Sequence, residues 1–135
     1  MDSNGTALRE SYILGSYITP IGATSNASGI ICATGLLMSC DEQSLSWYAA
    51  REWCLSYGDG WLYPSVNQLK TIYVNKGEIN AILSKTGVTL EGWYWSNQDV
   101  SYRNDIAFAV SLSSGESQGN FIKENTFKVR AVRTI

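Results

Sequence analysis

The sequence predicts one α+β domain built from small antiparallel sheets and two principal helices. Apolar residues recur at three- and four-residue steps between residues 47 and 83, and they alternate in twos after Gly92. A chain of 135 residues holds one hydrophobic core and leaves no room for a second domain. An N-terminal strand and loop over 1–28 is therefore expected to join a core over 29–135.

Residues 1–28 are rich in Gly, Ser, Thr and Asn, with apolar islands at 12–14 and at Tyr17 and Ile18, each able to form a short strand. Gly29-Ile30-Ile31-Cys32-Ala33 reads as a buried strand, Thr34-Gly35 as a turn and residues 36–40 as the return strand. From Ser44 the period becomes helical, because Trp47, Ala50, Cys54 and Tyr57 fall on one face beside Trp53, and Gly58-Asp59-Gly60 ends the run. Arg51 and Glu52 then face solvent. A second helix starts at Ser65, which caps it, and Gln68 completes a capping box, turning Val66, Leu69, Ile72 and Tyr73 inward. Ile79, Ile82 and Leu83 mark a short third helix stopped by Gly87.

The remainder reads as strands at 93–96, 106–112, 121–122 and 126–132, with residues 113–116 as a tight connection. Ile106, Phe108, Val110 and Leu112 alternate with Ala107, Ala109 and Ser111, which predicts one buried and one lighter face.

Composition excludes several functions. Charged residues make up 16% of the chain, against roughly 25% in an average domain, so Ser, Asn, Thr, Gly and Tyr must supply much of the surface. The net charge is −2 and the basic residues are scattered, which argues against nucleic acid and anionic membranes as partners. No apolar run is long enough for membrane insertion. The chain has no His, and Cys32, Cys40 and Cys54 form no CxxC pair, so zinc sites of the usual kind and His-based acid–base catalysis are excluded. With three cysteines, at least one thiol is free unless it pairs between chains. Cys54 is expected to be an inert packing thiol.

Four stretches recur together in one known family. They are SWYAAREWC at 46–54, GWLYPSVNQL at 60–69, YWS at 94–96 and VRAVR at 129–133. In this order they resemble the Gly-Trp-x-x-Pro-Ser/Thr, Tyr-Trp-Ser and Val-Arg-x-Val pattern of a bacterial, Bacteroidetes-type branch of the C-type-lectin-like fold. That family is extracytoplasmic and has no assigned function. The resemblance covers about residues 29–133 and implies the C-type-lectin-like fold. It also implies an extracellular or cell-surface location, with an export signal removed ahead of the polar start MDSNGTALRE. Formylglycine-generating enzymes and retroelement-diversified variable proteins are similar at a greater distance. The wider fold often bridges the first helix to the last strand by a disulfide, but Ala131 stands where a partner for Cys54 is expected, so no such bridge is predicted. Leu62-Tyr63 replaces the usual Arg-Leu after the Gly-Trp pair.

The sites follow from these readings. Trp47, Trp53, Trp61, Trp93 and Trp95 are expected chiefly in the core rather than stacking on sugar, whereas Tyr94 is expected to reach solvent. The Glu-Pro-Asn loop of calcium-binding relatives is missing. Glu91, Asn97, Asp99, Asn104 and Asp105 could supply oxygens but match no standard loop, so no metal is expected. Asp41-Glu42 and the pair Asp99 and Asp105 are the carboxylates an enzyme could use, yet nothing sets either pair across a cleft, and no enzyme and no cofactor are expected.

The segment 96–103, SNQDVSYR, with Asn104, Asp105, residues 117–120 and residues 123–125, has the Ser/Asn/Tyr/Asp mixture of adaptable binding loops. Its candidate ligand-binding residues are Tyr94, Asn97, Gln98, Asp99, Tyr102, Arg103, Asn104 and Asp105. The expected function is recognition of a glycan or a surface protein. The alternatives are a structural module of a larger surface lipoprotein or fimbrial subunit, and an oxidase-like enzyme.

Overall fold

A computed structural model of the chain describes residues 17–18, 29–33, 35–58, 60–86, 88–100 and 103–134. In chain order the elements are β1 (Tyr17–Ile18), β2 (Gly29–Ala33), β3 (Leu36–Ser39), β4 (Gln43–Leu45), α1 (Trp47–Tyr57), α2 (Val66–Val74) and α3 (Lys76–Thr86). Then come β5 (Trp93–Val100), β6 (Arg103–Ser111), β7 (Ser117–Ile122), β8 (Phe127–Val129) and β9 (Val132–Thr134). The strands form a four-stranded sheet ordered β1-β2-β3-β9 and a five-stranded sheet ordered β4-β8-β5-β6-β7. The α+β class, the β2–β3 hairpin and the three central helices agree with the sequence. The apolar island at 12–14 lies outside the described residues.

Helix starts follow the local chemistry. Ser46 caps α1 by accepting from the Ala49 amide at 3.2 Å. Ser65 caps α2 in a complete capping box: its Oγ accepts from the Gln68 amide at 3.0 Å, and its own amide donates to Gln68 Oε1 at 2.9 Å. Each helix buries residues of the stripe its spacing predicts, with Val66 and Tyr73 half-buried. Trp47, Ala50 and Cys54 do so from α1, Leu69 and Ile72 from α2, and Ile79 and Leu83 from α3.

The apolar interior is divided between two clusters. One gathers Ile30, Leu36, Met38, Leu69, Ile72, Tyr94, Val110 and Leu112, and the other gathers Leu37, Trp47, Cys54, Trp61, Trp95, Ala107, Ala109 and Ala131. Consecutive residues of β3, β5 and β6 therefore point into different clusters, because a strand sends alternate side chains to opposite faces. This corrects the expectation of a lighter face on β6. Ala107, Ala109 and Ser111 are buried, and it is Phe108 that is only half-buried. Alanine is needed there because Ala109 stands directly opposite Trp95 in the ladder, where a larger side chain would compete with the indole for one space.

Two further corrections concern strands. The helix expected from Ser44 begins at Trp47, since Gln43–Leu45 forms β4 against β8. A three-residue strand carries no period to read. The single strand expected at 126–132 is split into β8 and β9, which belong to different sheets, and the chain crosses between them at Arg130-Ala131. Cys54 and Ala131 share one apolar cluster, so the place of the fold's frequent bridge is taken by packing.

Candidate functional site

The β5–β6 hairpin changes character along its length. Tyr94, Trp95 and Ser96 are buried and Asn97, Gln98 and Asp99 are exposed, while on the return Arg103, Asn104 and Asp105 are exposed and Ile106 is buried again. The polar segment expected as a loop is thus the outer half of a hairpin, with β5 running to Val100 and β6 starting at Arg103. It stays extended because distant groups complete its backbone hydrogen bonding. The Asn97 amide donates to the Pro64 carbonyl at 2.6 Å, and the ladder shifts register between Trp95 and Asp99. Residues 117–120, also expected as a loop, lie in edge strand β7.

Tyr94 requires a correction. It is fully buried, its ring belongs to the cluster of Leu69 and Ile72, and its hydroxyl donates to Glu42 Oε1 at 2.7 Å. Burial, reinforced by the Glu42 carboxylate, raises the pKa of the hydroxyl. The alternation that puts Trp95 into one cluster puts Tyr94 into the other, so neither is a surface contact.

The other candidates divide by what holds them. Gln98 Oε1 accepts from the Val66 amide at 3.1 Å and so ties the hairpin to the start of α2. Asp99 Oδ2 lies 3.1 Å from Lys123 Nζ. Arg103 donates to both oxygens of Asp105, at 2.9 and 2.6 Å, and this contact lowers the Asp105 pKa. Asn97 and Asn104 expose side chains for which no hydrogen bond is found among the described residues. Tyr102 lies outside the described residues.

A buried cation supports this surface. Lys123, expected in a binding loop, is 3% exposed, with its ammonium 4.1 Å from the centre of the Trp47 ring and paired to Asp99. Its amide donates to the Asp105 carbonyl at 2.9 Å, and its carbonyl accepts from the Trp47 amide at 2.8 Å. The composition of 123–125 marks this lysine as a loop residue, because the ring beneath it lies 76 positions earlier in the chain.

Beside the hairpin lies a groove of about 210 Å³, which sequence reasoning missed. Leu62 and Val132, opposite each other in an isolated bridge, give it an apolar wall. Tyr63, Ser65, Gln68, Asn97 and Thr134 give it polar edges, and Arg133 is the one charged residue among the described residues of the lining. Arg133 Nη1 is buried and has no hydrogen-bond partner among the described residues. Its stem lies along Gly60, whose φ of +82° favours glycine and where a Cβ would stand 3.2 Å from Arg133 Nε. Of the groove's polar residues, only Asn97 was among the binding candidates expected from the sequence.

Most of the carboxylates weighed for catalysis or calcium are held by different partners. Glu42 is tied to Arg130 and Tyr94, Asp99 to Lys123 and Asp105 to Arg103. Glu91 precedes β5 at the end opposite Asp99. Burial pushes the thiols of Cys32 and Cys54 up to about 12, so both are held protonated and unreactive.

No protein-family model and no curated protein sequence matches the chain. Solved structures do. The snake-venom C-type-lectin-like protein botrocetin aligns with a TM-score of 0.53 at 12% identity, over 87% of this chain and 98% of its own. EMS16, another such protein and an antagonist of the collagen receptor integrin α2β1, aligns with a TM-score of 0.54 at 10% identity, over 87% of this chain and all of its own. At this level of identity the likeness establishes the architecture: the chain has the C-type-lectin-like fold.

Proposed function

We propose that this domain recognises a ligand outside the cell, a surface protein or a glycan, through the outer half of the β5–β6 hairpin and the turn after β7. The observation that carries the reading is a locked backbone under exposed polar side chains. Pro64, Val66 and Lys123 hold the strand positions while Asn97, Arg103, Asn104 and Asp105 face solvent. A surface ordered in advance loses little entropy on binding. EMS16 has this fold and antagonises a protein receptor, which supports a protein partner. The order of the four sequence motifs supports placement in the bacterial extracytoplasmic branch of the fold. The reading includes no catalytic step; Glu42, Asp99 and Asp105 sit in ion pairs, and burial keeps the Cys32 and Cys54 thiols protonated.

The test is the triple variant R103A/N104A/D105A against the partner recovered from glycan arrays and surface-protein libraries. The Arg103–Asp105 pair is exposed on both sides and screened by solvent, so the melting temperature should hardly move. Affinity should drop by about tenfold or more, as when central contacts are truncated. Undiminished binding by the folded variant removes the hairpin as the contact surface.

A further inference from the structure

We infer that the groove at Arg133 is a second binding site, built for a carboxylate-bearing sugar of single-residue size. The inference goes beyond the hairpin reading and does not depend on it.

A guanidinium stays charged at every physiological pH and presents a planar fork of donors that matches a carboxylate. Arg133 lines the groove, its Nη1 is shielded and unpartnered among the described residues, and no acidic residue is found among the described residues of the lining. Leaving a buried donor unmade is unfavourable, and the side chain passes over Gly60, where an added Cβ would crowd it. The guanidinium is therefore the group that would receive an anion entering the groove.

The neighbouring polar groups narrow the ligand further. The capping box of α2 uses the acceptor oxygens of Ser65 and Gln68, leaving the Ser65 hydroxyl proton and the Gln68 amide protons as what those side chains can offer the groove. With the Arg133 guanidinium these donors suit a ligand that brings acceptor oxygens. Leu62 and Val132 add an apolar wall for a C–H face. At about 210 Å³ the groove is smaller than the roughly 300–1,000 Å³ of drug-sized pockets, which points to one sugar ring. A hexuronate joins all three properties: a carboxylate, ring hydroxyls and an apolar face.

The experiment titrates the ¹⁵N-labelled domain with glucuronate, glucose and acetate, following the amide signals of Gln68 and Asn97. Glucuronate should give saturable shifts there, with glucose and acetate each weaker by about tenfold or more. The variant R133Q should lose about tenfold or more, and R133K should lose less, since it keeps the charge without the fork. L62E, at a half-exposed position of the rim, supplies a competing carboxylate without altering Arg133 and should also abolish the shifts. R103A/N104A/D105A should bind glucuronate as the wild type does, which separates this site from the hairpin. Absence of saturable shifts, equal affinity for glucose or acetate, or full binding by folded R133Q or L62E would overturn the inference.

Discussion

Cys32 and Cys54 are both fully buried, and the consequence is a specific dependence of stability on pH. Their thiols rise from an ordinary 9.0 to about 12 in the folded protein. Above pH 9 the unfolded chain sheds these protons while the folded chain keeps them, so stability declines as pH climbs from 9 towards 12. The loss is up to about 1.4 kcal/mol per pH unit for each thiol. Urea unfolding across this range should give a shallower alkaline decline for Cys54→Ala than for the wild type. An aromatic disulfide reagent near about pH 8 should label these two thiols only on unfolding. The burial of Cys54 was readable from its place on the stripe of Trp47 and Ala50. The burial of Tyr94 was not, because YWS reads equally well with either ring turned outward.

At the scale of elements, the clearest local signal was the start of α2. Ser65 and Gln68 satisfy each other's backbone amides, a contact set by four consecutive residues and hence visible in the chain. Ser65→Ala should cost about 1 kcal/mol, measured by denaturant unfolding. The same change should leave the β5–β6 hairpin in place, since the Val66 amide keeps Gln98 as its acceptor. The outer half of that hairpin was misread for the opposite reason. Residues 97–100 and 103–105 are polar enough for a loop, yet partners at Pro64 and Lys123 keep them extended. β4 escaped notice because its pairing, Gln43 with Val129, joins residues 86 positions apart.

Across the whole molecule, Arg130 is the residue that ties the two sheets together. It occupies the crossing between β8 and β9, is 1% exposed, and donates to the Ser39 and Cys40 carbonyls at 3.1 and 2.9 Å and to the Val88 carbonyl. Its guanidinium also meets Glu42 Oε1 at 2.8 Å, the oxygen that accepts from Tyr94. Removing one member leaves the other charge buried and alone. Arg130→Met should therefore cost about 3–5 kcal/mol, seen as a fall in the denaturation midpoint. Glu42→Gln, which keeps an acceptor for both partners, should cost less. A loss under about 1 kcal/mol for Arg130→Met would refute this role.

The amino-acid sequence alone determined the α+β class, the β2–β3 hairpin, the helix stripes and the Ser65 cap. Each of these rests on contacts among residues close in the chain, or on a period that any buried face imposes. The order of its four motifs also pointed to the C-type-lectin-like fold. Tertiary structure decided which face of β5 holds Tyr94, how residues 126–132 divide between two sheets, and that Lys123 sits on Trp47. It alone brought Arg133, Gln68 and Asn97 around one groove. Those outcomes depend on pairings between residues tens of positions apart, and an alternating pattern shows that side chains point to opposite faces without showing what waits on either.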